Sequence, residues 1–136
     1  MEFIPYEQSL QLKELGFDKP CVVYCWDKNY KHPEYLEIST TPHWAPLNIQ
    51  NHNSYSTRVS RPTYSQAFEW FREKHMLYHD IKMFGDWDKP QFSYIVSGRT
   101  MDHPSHMWHY KTADLYTEAE LECLKKLIEL ISTLKP

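Results

Sequence analysis

The sequence predicts an α+β protein: two layers, with an antiparallel sheet of about 4–6 strands carrying three helices, in the order α-βββ-α-βββ-α. Two observations carry this. Thr63-Tyr64-Ser65-Gln66 and Thr117-Glu118-Ala119-Glu120 both have the form of a capping box. In each, the Thr oxygen can accept the N3 backbone N–H while the Gln or Glu three residues on reaches back to the Thr N–H. Each box opens a run with helical apolar spacing, and the stretches before and between them are short, rich in strand formers and bounded by Pro, Gly, Asn and Asp.

The first helix is short. Pro5 suits the first helical position and Gly16 the left-handed position just past the end. Tyr6, Leu10 and Leu15 are its expected inward residues, with Phe17 making the apolar contact that accompanies a Gly stop. Cys21 to Trp26 reads as a strand, Asp27-Lys28-Asn29 as a turn, and Tyr35 to Ser39 as a return strand with Leu36 and Ile38 on one face. The stretch from Thr41 to Pro62 is the least regular. Within it Tyr55 to Val59 alternates as a third strand, placing Tyr55, Thr57 and Val59 on one face. The second helix runs from Tyr64 to about His75 with Tyr64, Ala67, Phe68 and Phe71 inward. Tyr78 to Phe84 and Gln91 to Ser97 flank a Gly85–Pro90 turn, and Met107 to Lys111 follows the Pro104 break. The last helix, Glu118 to Leu134, carries Leu121, Leu124, Ile128 and Ile131 on one stripe and Cys123, Leu127, Leu130 and Leu134 beside it. That arc is wide enough for burial on two sides or against a second copy.

A chain of 136 residues is expected to form one domain, 1–136. It holds 21 aromatics (10 Tyr, 6 Phe, 5 Trp), more rings than so small a core needs. Tyr and Trp in excess fit a recognition surface as well as half-buried packing. A net charge of −3 argues against non-specific nucleic-acid coating, which needs many phosphate-neutralising cations. There is no apolar run near the length of a membrane span, so no membrane role is expected. Met1-Glu2-Phe3 lacks the basic start of a secretory signal. The three cysteines give no disulfide framework. On one strand Cys21 and Cys25 stand roughly 13 Å apart, beyond the disulfide reach of about 7 Å.

Phe3-Ile4-Pro5-Tyr6-Glu7-Gln8, Leu12 to Cys21, Thr63 to Lys74 and Tyr116 to Ile128 together resemble a family of small uncharacterised bacteriophage and prophage proteins. The resemblance implies a phage origin and a working place in the cytoplasm of an infected host bacterium. It brings no activity and no active-site residues with it.

Three sets of residues are candidates for chemistry. His103, His106 and His109, with Asp102, have the side chains of a metal site. In an extended segment, however, His103 and His109 share a face about 20 Å apart, so packed or exposed histidines are the expectation and no metal or cofactor is assigned. The cysteines lie in apolar elements where thiols are inert, and no glycine-flanked serine or phosphate loop is present. Between Glu37 and Glu69 there is no acidic residue, while Arg58, Arg61, His43 and His52 sit among Trp44, Tyr55 and Tyr64. Arg forks beside rings suit a partner contact or a phosphate-bearing nucleotide. The helix-strand order of the first 75 residues invites comparison with a double-stranded RNA-binding domain, but topology alone carries no function. The expectation is a non-enzymatic phage accessory protein that binds a host protein, for instance a defence factor. A nucleotide-binding protein is the alternative, and a self-assembling phage component using the C-terminal helix is a third.

Overall fold

The computed structural model describes residues 2–29, 36–38, 49–98 and 106–134, the last of these by backbone alone at 106–111 and 134. Among the described residues, three helices and two antiparallel sheets of three strands each make an α+β fold. In chain order the elements are α1 (Tyr6–Glu14), β1 (Val23–Trp26), β2 (Leu36–Ile38), β3 (Arg58–Ser60), α2 (Tyr64–His75), β4 (Leu77–Asp86), β5 (Lys89–Gly98), β6 (His106–Ala113) and α3 (Tyr116–Leu134). The expected order holds, but the six strands form two sheets, not one. Contacts group into two compact units, Met1–Gln66 and Ala67–Pro136.

In the first unit, α1 ends as the sequence requires. Gly16 takes φ +94, its N–H donates to Lys13 O, and the Phe17 N–H reaches back to Leu12 O. Those two bonds are a Schellman stop, and Leu12 and Phe17 are both buried beside it. Pro5 caps the helix from outside, with ψ 159, and is not its first residue. The buried side is Gln8, Ser9 and Leu12; Tyr6, Leu10 and Leu15 are only half-buried. The sheet runs β2-β1-β3 and is antiparallel throughout. Alternation along β1 sends Val23 and Cys25 into the core with Val59, and Tyr24 and Trp26 to the opposite side. Leu36 and Ile38 share a face as expected, yet both are exposed.

The first capping box forms in both directions. The Gln66 N–H donates to Thr63 Oγ1 at 3.2 Å and the Thr63 N–H to Gln66 Oε1 at 3.0 Å. The second does not form as read. The Ala119 N–H donates to Leu115 O, which makes Leu115 the cap and puts Thr117 inside the helix. Tyr116, edge-on to Phe92 at 5.7 Å, is drawn into the first turn.

The second unit is a β4-β5-β6 sheet with α3 laid against all three strands. Leu77, Tyr94 and Val96 line the covered face, and Ala119, Cys123, Leu124, Leu127, Ile128 and Ile131 are buried along the helix. The wide arc of α3 is thus largely spent on its own sheet. The β4–β5 hairpin is longer than expected, because pairing continues through Gly85↔Pro90 and Asp86↔Lys89. Gly85, at φ +92, has no room for a side chain: a Cβ would lie 2.8 Å from Lys89 O. Gly98 is as constrained by contact. A Cβ there would lie 2.7 Å from both Met76 O and Leu77 Cδ2. Gly98→Ala is therefore expected to destabilise the protein by about 1–3 kcal/mol through overpacking, read as a lower urea midpoint.

Candidate functional site

The acid-free segment of the first unit folds into an aromatic cluster around one guanidinium. Cross-strand pairing sets Trp26 opposite Arg58 and Tyr24 opposite Ser60, so the side of β1 that faces away from Cys25 receives the Arg58 side chain. Its guanidinium carbon lies 4.3 Å from the Tyr55 ring centre, 4.7 Å from that of Tyr24 and 5.6 Å from that of Trp26. These are cation–π distances. Tyr24 and Trp26 meet edge-on at 5.6 Å, and Trp26 Nε1 donates to Glu37 Oε1 on β2 at 3.4 Å.

The loop that delivers Tyr55 and Arg58 is held from several directions. Asn51 Oδ1 accepts the Asn53 N–H and starts a single 3₁₀ turn, His52–Ser54. Asn53 in turn donates to Phe17 O and accepts the Ser60 N–H at 2.8 Å. Lys13, reaching over from α1, donates to Tyr55 O at 2.9 Å and Arg58 O at 2.6 Å. His52 is 0% exposed and stacks on Tyr24 at 4.2 Å. Its Nδ1 is 3.4 Å from an Arg58 terminal nitrogen, so Nδ1 must accept and the ring proton sits on Nε2. At the open end of β1 and β3, a hollow of about 370 Å³ is lined by Asp27, Asn29, Ser56 and Thr57. The cluster therefore offers half-buried rings, one exposed ring (Tyr55, 43%) and a polar margin.

Arg61 does not join it. Its Nε donates to Ile4 O at 2.9 Å, and its charge and hydrogen bond act on Cys25, on the core side of the strand. Strand alternation separates two arginines that stand three residues apart in the chain. His43 and Trp44 lie outside the described residues, as does His103. His106 and His109 fall on β6, opposite Gly98 and Val96, with a bulge between. Among the described residues no group of three His, Cys, Asp or Glu is arranged to hold a metal ion. Tyr24 and Trp26 are the members that sequence reasoning missed. Their signal was the alternation of β1, which places both on the side away from Val23 and Cys25.

Burial governs the titratable groups. It pushes the Cys21 thiol up to about 11 and Cys123 up to about 12, and raises Cys25, so none is a ready thiolate. Burial also lowers His52, with the Arg58 charge adding to the effect. It lowers His79, which stacks on Phe68 at 3.8 Å, with the Arg72 charge second. A histidine depressed below its ordinary 6.5 takes up its proton in the unfolded chain before it does so in the folded one. Its contribution is complete above that value and is lost as pH falls below it. Urea denaturation across a pH series is expected to show stability falling below about pH 6.5. His79→Phe, which keeps the ring stack, is expected to flatten that fall.

Comparison with protein-family models, curated proteins and solved structures returns no match to this chain.

Proposed function

We propose that this protein acts by binding another protein, and that the Tyr24–Trp26–Tyr55–Arg58 face is its contact surface. The observation that carries this is the Arg58 guanidinium held within 4.3–5.6 Å of three rings on a loop already pinned by Lys13, Asn53 and His52. Tyr, Trp and Arg dominate the energetics of protein interfaces, and side chains ordered beforehand lose less entropy on binding. The resemblance to phage proteins supports a host protein as the partner and the cytoplasm of an infected bacterium as the setting. The reading is of a non-enzymatic accessory protein, and the raised thiols agree with it. The nucleotide alternative has less support, because it relied on Arg58 and Arg61 converging and Arg61 is committed to Ile4 O. The test is retention of a stoichiometric partner from host lysate by the wild-type chain and its loss in Tyr55→Ala. Equal retention by both would reject this surface.

A further inference from the structure

The second unit carries a surface that the proposed partner site does not use. Among the described residues the β4 strand is the edge of its sheet, ten residues long and without proline. Such an edge presents a row of backbone donors and acceptors that another strand can pair with. The hairpin it belongs to also outruns its support. The last residue of β6, Ala113, lies opposite Phe92, so Phe84 to Gln91 continue as two strands only. A two-stranded ribbon is marginal in water, and this one exposes Phe84 and, at its tip, Trp87 at 99%.

We propose that β4 is a homodimerisation edge, two copies of the chain pairing their β4 strands antiparallel about a two-fold axis at Ile81. A second copy fits because the strand is complementary to itself. A two-fold axis normal to the sheet keeps each side chain on its own face, so opposed residues must share a face and only a few registers exist. Centred on Ile81, Asp80 faces Lys82 of the second copy, Tyr78 faces its Phe84 and His79 its Met83, while Ile81 meets its own counterpart. Asp80 and Lys82 already lie 3.6 Å apart on one exposed face, so the dimer makes an alternating square of four charges. Centring on Asp80 or on Lys82 instead sets a charge against its own copy. Centring on Met83 sets Asp80 against Asp86. Like charges directly opposite destabilise a strand pair.

The same register rescues the projecting arm. Phe84 and Gly85 pair with Tyr78 and Leu77 of the second copy, at the start of β4, where the strand lies within the three-stranded sheet. It also brings Trp87 beside Met76 of the second copy, itself 58% exposed, for a sulfur–aromatic contact. Exposed charges on an edge can equally serve to block pairing, and the experiment separates the two roles.

Light scattering on the full chain, after size-exclusion chromatography, is expected to give twice the 16.4 kDa of one chain. Asp80→Lys and Lys82→Asp should each give the single mass, and the double exchange Asp80→Lys/Lys82→Asp should restore the doubled one. Ile81→Cys should form a covalent dimer on mild oxidation, since antiparallel partners stand about 4.5–5.5 Å apart; Tyr78→Cys, whose counterpart lies far along the strand, should not. A wild-type chain of single mass at the highest soluble concentration would overturn the proposal. So would a dimer indifferent to both single reversals, or a double exchange that stays monomeric.

Discussion

Exchanging Arg58 for lysine is expected to weaken partner binding by about 2 kcal/mol, roughly thirtyfold, while changing stability far less. The planar guanidinium lies against the rings of Tyr24, Trp26 and Tyr55 at once and still reaches His52 Nδ1. A lysine keeps the charge but, as a compact ammonium on a flexible stem, cannot stack on three rings or fork to the imidazole. Its effect would come through the freed Tyr55 ring, so Tyr55→Ala should weaken binding by a similar amount, and the double variant by much less than the sum. Isothermal titration against the purified partner measures all three. Thermal melts of the same proteins show whether the fold has suffered, and near-coincident melts are expected for Tyr55→Ala because that ring is exposed.

Truncating Leu127 to alanine should cost about 2–5 kcal/mol, a large part of a small protein's stability. Leu127 has no exposed surface and lies on the stripe of α3 that covers the β4-β5-β6 sheet, with Leu124 and Cys123 as buried neighbours. The loss combines transfer of the side chain to water with the cavity left behind, since a close-packed core collapses only in part. The urea midpoint should fall with little change in slope. Lys125→Ala, on the exposed side of the same helix, should stay within about 0.5 kcal/mol.

What was legible in the sequence was local. The Thr63–Gln66 box and the Gly16 stop each need only residues within five positions, and both form as read. The Thr117 box has the same letters, but the start of α3 is decided by Tyr116 packing on Phe92, a contact from a distant strand. The alternation of its segment predicts Tyr55 on a strand. The Asn51 and Asn53 side chains instead hold a 3₁₀ turn that delays β3 until Arg58. The candidate site was half legible. The acid-free stretch pointed to Arg58, Tyr55 and His52, which do converge. Tyr24 and Trp26 enter through a strand register set across more than thirty residues, and Arg61 leaves because one step of alternation reverses its side. Nothing in the sequence marked the β4 edge, since Asp80 and Lys82 become complementary only once the strand is seen to be outermost.

The measurement that bears most directly on the account is retention from host lysate by the tagged wild-type chain beside Tyr55→Ala and Arg58→Lys, followed by mass spectrometry. One host protein held in near-equal amount by the wild type and depleted on both variants is the expected result. The same protein held equally by all three, or no protein held by the wild type, would contradict a binding function centred on Arg58.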